Sequence, residues 1–592
     1  MAAPAGRPYN RGMTLGLSLA VALSSGVGLE AEARAEVEVH QPCPRLKFIG
    51  PEVKLTDVEK RLICGDASRP GWQDVPMSQA RGFLEAVLQK SGRYFPAFGA
   101  EGDALTVRIG TVTYISGIAS TGIDGLFDLS KRRGIVGFPL TPSELDKVKA
   151  AAVFELQTRG FACPVVDVTA DASTGRVSVA ARPGKVLDVE EIVPSPVPGV
   201  DPAVFRRYQA FETGKPFDIR LMTLTADRVK SEPLFLSAYY DVACSTAGAV
   251  VTQRVMRAPP HYLAIGGGVD TEGYIRGRAQ MKESLLGHRA SSVEATVFAS
   301  AREVSLDSDA KLYPSSSSRG YLYPHAYISR LNESQFQAEE ALFFAGPAYG
   351  WDDQSLHVET QAGPAVEYFN TIAGIGPTQD AFFGFDTKTE VTSHLFEFYR
   401  RDPRSGWSLG FETQSRVKGA YSSVSADRML LSHEKLWNPG NYDPPFLVVG
   451  LRGFAGTIWA GDRPSAFTDV PPDLRFFLGG DADLRGAARK GLPGDDLGFL
   501  TAVYEGLELR LVDVLPQGLQ PLAFVDGAMG SQRDFHVERD VYWSPGVGLR
   551  WASPVGSIRA TVARGLVWSR GGPVADSGLP HWHFFFSFGQ EF

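Results

Sequence analysis

At 592 residues the chain is too long for one compact soluble domain, so it requires several units or one large closed architecture. A net charge of -8, without long basic or acidic runs, argues against general binding to nucleic acid, which needs a basic patch. Glycine (63 residues) and aromatics (11%) are abundant, and no run of about 18 apolar residues suggests a helical membrane span.

The first residues place Arg7 and Arg11 before an apolar segment from Met13 to about Leu23, followed by Ala33-Arg34-Ala35. That order reads as a secretory signal peptide over 1–35, with the mature chain beginning near Glu36. Cys43, Cys64, Cys163 and Cys244 all lie in the first half. In an exported chain they can form disulfides in three connectivities, Cys43 with Cys64 closing the shortest loop. No CxxC or histidine cluster accompanies them, so neither a metal site nor a cofactor is expected.

Three copies of a strand, helix, helix, strand, turn, strand pattern follow, over 36–110, 111–185 and 186–257. The first runs from Leu46–Ile49 through a helix opened by the capping box Thr56/Glu59 and closed at Gly65. A second helix spans Ser78 to Lys90, and the copy ends on Ala104–Ile109. In the second, Thr111–Ile115 reads as the opening strand. Thr141, Pro142 and Glu144 start a helix ended by Gly160, before a hairpin turning at Ser173-Thr174-Gly175. The third begins at Val186–Glu190, uses Asp201-Pro202 and Asp218 as helix starts, and closes on a hairpin of Tyr239–Val242 and Val250–Arg254.

From 258 to 592 the helix signals fade and short alternating segments succeed one another between polar turns. Val293, Ala295, Val297 and Ala299 alternate with polar residues, as do Trp407, Leu409 and Phe411. Trp582, Phe584, Phe586 and Phe588 form one face of the last strand. Such strands suit a sheet with lipid on one side and a wet lumen on the other, and the length allows about 16 of them. The expected fold class is therefore α+β modules followed by a transmembrane antiparallel β-barrel.

Exported modules of this pattern before a β-rich segment resemble POTRA domains of the superfamily that contains BamA, TamA and the two-partner-secretion pores. Phe477-Leu478-Gly479-Gly480 and Leu484-Arg485-Gly486 resemble its lumen-loop motif, Gly506–Arg510 the strand that follows, and Phe524-Val525-Asp526-Gly527 the next. The resemblance implies that Arg485 enters the lumen and pairs with Asp526, although Ala487 stands where the family places an aromatic. Strand parity puts Glu508 and Arg510 together on the lumen face. Leu451-Arg452-Gly453-Phe454 repeats part of the tetrad inside an apolar run and reads as a coincidence.

The stretch Leu263–Gly268, Val269–Gly273 and Gly277-Arg278 resembles the first barrel strands of the TamA branch. Gly266, Gly267 and Gly268 would pair weakly with a terminal strand carrying Phe586, Phe588 and Phe592, as a lateral seam needs. The ending His583–Phe592 resembles the C-terminal signal by which outer-membrane barrels are recognised. The resemblance implies an outer-membrane location with the modules in the periplasm, contact with the lipid bilayer, a TamB-like inner-membrane partner, and client outer-membrane proteins such as autotransporters. Two alternatives remain: a two-partner-secretion pore, and an outer-membrane lipase or esterase using Ser408 of the GxSxG string Gly406–Gly410.

Overall fold

The computed structural model describes residues 39–50, 53–66, 75–102, 104–123, 125–232, 234–401, 403–417, 425–460, 466–553, 556–569 and 581–589. The segment 1–35 read as a signal peptide, and the terminal Phe592, lie outside the described residues. The chain groups into two compact units: one formed by residues up to Gln89 with Arg93–Thr111, the other by Lys90–Gly92 with Val112 onward.

In the first unit, four strands order as Val39–Cys43, Leu46–Ile49, Ala104–Arg108 and Ala97–Glu101. Two helices, Asp57–Cys64 and Met77–Lys90, cover the sheet. Thr56 accepts from the Glu59 amide while Glu59 reaches back to the Thr56 amide, which satisfies two donors that the helix start would leave unpaired. Leu46, Phe48, Leu84, Leu88 and Val107 form its core, and Cys43 and Cys64 are bonded to each other.

The second module is a three-stranded sheet of Gly117–Thr121, Arg176–Arg182 and Val165–Asp171, backed by the helix Pro142–Gln157 with Thr141 as its N-cap. Its opening strand starts later than the Thr111–Ile115 expectation. The backbone there is already engaged, Leu140 N–H donating to Thr113 O and Ile115 N–H to Phe138 O. Asp171 at the hairpin turn accepts from Ser173 and Thr174, and these bonds hold its carboxyl down to about 2.

The third module orders Val189–Val193, Ala249–Arg257 and Phe235–Cys244, with the helix Ile219–Ser231 capped by Asp218. Pairing begins at Val189 rather than Val186, because Leu187 bonds Gly160 O and Phe217 N–H instead. The turn opened by Asp201 is a 3-10 helix, Pro202–Arg207, and not the α-helix expected; Val204 N–H reaches Asp201 O and Tyr208 N–H reaches Phe205 O. Cys163 of the second module is bonded to Cys244 of the third, across 81 residues.

From His261 onward the strands pair in sequence order and close on themselves. Gly556–Arg564 and Leu566–Trp568 both pair with Val541–Ser553 and are one strand interrupted at Gly565, which makes 16 antiparallel strands. Alternation sets the faces: Leu263, Ile265 and Val269 point outward, as do Trp407, Phe411, Val525, Trp582 and Phe584, whereas Phe585 is buried on the other side. Outward apolar and aromatic side chains form a surface that suits hydrocarbon. No helix among the described residues is long and apolar enough to cross a membrane, and the crossing elements are strands.

The second and third modules hold the near end of the barrel by arginines. Arg228 on the third module's helix donates to Glu397 (2.6 Å) and Asp352 (2.8 Å). Arg207 caps Ala290 O and Ser315 O over the Tyr313 ring, and Arg133 reaches Pro445 O (2.7 Å) and Val512 O. Each guanidinium thus satisfies carbonyls or carboxylates that the barrel turns leave unpaired.

A disulfide that closes so long a loop restricts the unfolded chain strongly, by an amount of order 2–5 kcal/mol. Replacing Cys163 and Cys244 together by alanine should therefore speed limited proteolysis between the second and third modules of the intact protein, while the barrel remains resistant. Unchanged proteolysis would show that non-covalent contacts suffice to hold the module pair.

Candidate functional site

The connection between strands Leu447–Ala460 and Thr501–Leu511 is the eleventh inter-strand link, so by parity it leaves the barrel at the end opposite the modules. Instead of standing away from the sheet, the described part of it, residues 466–500, packs back against the inner wall. Val470, Leu474, Phe476, Leu478, Leu484, Ala487, Leu492, Phe499 and Leu500 share one buried cluster with the wall residues Ile458, Ala502, Tyr504, Ala528 and Tyr542. Burying this apolar surface drives the loop inward and fixes its depth.

Two glycines make the turn possible. Gly479 and Gly480 have φ of 113° and 120°, a region that side chains disfavour. A Cβ on Gly479 would lie 2.1 Å from Ala488 O, and one on Gly480 2.5 Å from Glu272 Oε1. Asp483 braces the turn by accepting from the Gly479 amide at 2.7 Å. Gly486 is needed for space, since a Cβ there would fall 2.4 Å from Ser544 Cβ and 2.6 Å from Gly565 Cα, the point where the fifteenth strand is interrupted.

Arg485 is carried by this turn to the wall, where it and Asp526 are both fully buried, at 0% exposure. Its Nε donates to Asp526 Oδ2 (2.9 Å) and its Nη2 to Asp526 Oδ1 (2.8 Å), a two-pronged pair. The Arg485 amide also donates to Asp526 Oδ2 at 3.1 Å, so backbone and side chain grip one carboxylate. Nη1 donates to Glu508 Oε2 (2.8 Å) on the neighbouring strand. Tyr504 Oη and Ser544 Oγ complete the shell of Asp526 at 3.3 and 3.4 Å.

The guanidinium lies 3.3 Å above the centre of the Phe524 ring. An aromatic partner is thus present, supplied by the strand of Asp526, while Ala487 packs into the loop's apolar cluster. Room for these groups comes from glycines on the flanking strands. A Cβ on Gly506 would be 3.0 Å from Asp526 Oδ1, and one on Gly546 would be 2.2 Å from Phe524 Cζ.

Further polar ties spread from the loop around the lumen. Asp481 pairs with Arg559 on the fifteenth strand, and its amide donates to Glu272 (3.1 Å) in the turn after the first strand. Arg489 and Lys490 both pair with Glu333, at 2.7 and 3.2 Å, in the turn after the fifth strand. Arg452 of the second tetrad is a wall residue that reaches Asp481 O at 3.4 Å, so Leu451–Phe454 is no second loop motif but does touch the loop.

Other sequence candidates fall elsewhere. Arg510 shares the inner face with Glu508 but donates to Pro403 O in a turn at the module end, away from Arg485. Gly266, Gly267 and Gly268 lie on the first strand, which meets the last through Gly268–Gly589, Val269–Phe588 and Asp270–Ser587. Among the described residues, which end at Gly589, three pairs are seen there, with ten to the second strand and eight between the fifteenth and last strands. Thr271 adds a bond to Phe586 O at 2.9 Å. Ser408 lies within the strand Gly406–Val417, paired with Thr392 and Glu434, and no nucleophile elbow forms around it.

Residues 399–592 match the model of a family described as the Omp85 superfamily domain. Among solved structures, BamA from Haemophilus ducreyi lacking POTRA domains 1–3 aligns at 14% identity and a TM-score of 0.49, covering 81% of this chain and 99% of that one. CdiB from Acinetobacter baumannii aligns at 12% identity and a TM-score of 0.46, covering 81% and 90%. CdiB from Escherichia coli aligns at 13% and 0.45, covering 86% and 95%.

Removing one partner of a buried ion pair costs about 3–5 kcal/mol, because the other charge is left without compensation. Asp526→Asn should accordingly lower the temperature at which the folded barrel loses its compact electrophoretic mobility. Arg485→Lys should also lower it, since an ammonium keeps the charge but not the fork. Wild-type melting in both variants would contradict the pairing as a structural anchor.

Proposed function

We propose that this chain, whose residues 399–592 match the Omp85 superfamily domain, is an outer-membrane factor that assembles or translocates client proteins without performing a covalent reaction. The reading rests chiefly on a closed 16-strand barrel in which, among the described residues, three pairs join the first and last strands. Main-chain hydrogen bonds hold neighbouring strands together across the wall, so a junction with few of them is a place of low resistance.

In the proposed mechanism the junction opens laterally and a client strand adds to the exposed edge, replacing the hydrogen bonds lost. Leu263 and Ile265, which point outward on the first strand, would lie along the opening. The Arg485–Asp526–Glu508 anchor keeps the loop fixed while the wall beside it moves. The modules would lie in the periplasm, where open sheet edges can receive extended clients or a TamB-like inner-membrane partner. Their arginine contacts to the barrel turns support a rigid handover from module to lumen.

Cysteines at Val269 and Phe588, which face each other across the junction, would lock it when oxidised. Autotransporter insertion should fall at least about tenfold in the locked protein and recover on reduction, a difference of about 1.4 kcal/mol or more in the opening step. Client insertion at the wild-type rate with the lock closed would exclude lateral opening. Export of a single dedicated client unaffected by the lock would instead favour a two-partner-secretion pore.

A further inference from the structure

A second group of buried charges lies in the lumen apart from Arg485. Glu340 on the sixth strand and Glu367 on the seventh are diagonal neighbours, since Glu340 faces Phe369 and Leu342 faces Glu367. Asp473, from the segment that leads into the lumen loop, joins them. One carboxylate oxygen from each of the three lies within 4.8 Å of the others.

Counting the positive charges shows that the cluster is not neutralised by direct pairing. Arg416 crosses from the ninth strand and gives Nε to Glu367 Oε2 (2.7 Å) and Nη1 to Asp386 (2.6 Å), so its one charge serves two carboxylates. Gly384 leaves it the passage: a Cβ there would lie 3.1 Å from Arg416 Nη1. Arg428 is turned to Gln414, Glu412 and the Phe476 ring, and Arg475 to the carbonyls of Ile375 and Leu497.

Two oxygens of the cluster are left over. Glu367 is 1% exposed, and its Oε1 has no hydrogen-bond partner among the described residues; Asp473 Oδ1 is likewise buried and unpartnered. Glu340 has a weak bond from Ser329 at 3.4 Å. Buried anionic oxygens without donors carry a heavy desolvation cost unless a cation or a proton compensates them.

We propose that Glu340, Glu367 and Asp473 bind one divalent cation of the hard, oxygen-seeking class, calcium or magnesium. Carboxylate oxygens without nitrogen or sulfur ligands select this class over zinc or copper, and the spacing allows three oxygens to surround one ion. The ion would clamp the root of the lumen loop to the sixth and seventh strands, on a part of the wall different from the strands that hold Arg485. No sequence motif announces the site, because its ligands are 27 and 106 residues apart along the chain.

The test uses full-length protein in detergent micelles free of lipopolysaccharide, stripped with chelator and then given Ca2+ or Mg2+ alone. The melting temperature of the stripped wild type should rise by about 3 °C or more on adding either ion at saturation. In Asp473→Asn the stripped protein should melt at or above the stripped wild type, because a repulsive charge is gone, and the rise with cation should vanish. Glu340→Gln provides a second variant that leaves the Arg416 pairs untouched. An equal rise in wild type and both variants would overturn the proposal. So would a melting temperature that ignores Ca2+ and Mg2+ but climbs as the pH falls through the carboxylate range, which would assign the cluster a shared proton.

Discussion

A guanidinium closed off from water inside a barrel demands carboxylates, and the position of nearly everything in the upper lumen follows from how that demand is met. Arg485 is fully buried, and Asp526 and Glu508 accept from three of its side-chain donors. The pair is strong because the site is confined, yet its desolvation cost means that it serves less as a source of stability than as a device allowing one arrangement only. A loop displaced by a single residue would bring a different side chain to Asp526 and leave a buried charge unpaired.

That constraint reaches the wall as missing side chains. Gly506 and Gly546 lie where strands of the barrel come against Asp526 and Phe524, and at each a methyl group would collide, while Gly565 lies against the loop's Gly486, where a methyl group would also collide. Glycine weakens strand pairing, so the barrel accepts softer strands on this side in exchange for a tight fit to the loop. The ties from Asp481 to Arg559 and Glu272, and from Arg489 and Lys490 to Glu333, carry the loop's hold to strands on both sides of the short junction. The anchored loop thus ties together the strands on both sides of the junction between the first and last strands.

Much of this was legible in the sequence for physical reasons. Alternation with aromatics on one face revealed the strands, and Thr56/Glu59 and Thr141/Glu144 marked helix starts that the structure places at those positions, because capping is a local interaction. Module strands were misplaced where long-range hydrogen bonds took the backbone, as at Thr113–Ile115 and Leu187. Parity on the strand put Glu508 on the lumen face, but nothing local distinguished it from Arg510, whose partner is a turn carbonyl at the far end. The family pattern places an aromatic where this chain has Ala487; the ring under Arg485 is Phe524, on the strand of Asp526, and only folding brings the two together. Glu340, Glu367 and Asp473 had no signature at all, being assembled by barrel closure.

The central claim, that the Arg485–Asp526 pair holds the lumen loop against the wall, is tested most directly by amide hydrogen exchange over residues 478–490. In the wild type these amides, that of Arg485 included, should exchange as slowly as those of the strand Leu519–Ser531, because opening the loop requires separating a buried ion pair. In Asp526→Asn the loop should exchange at least about tenfold faster, by the roughly 1.4 kcal/mol or more that the lost pair removes, while strand amides away from residue 526 keep their protection. Equal protection of the loop in the wild type and in Asp526→Asn would contradict the account.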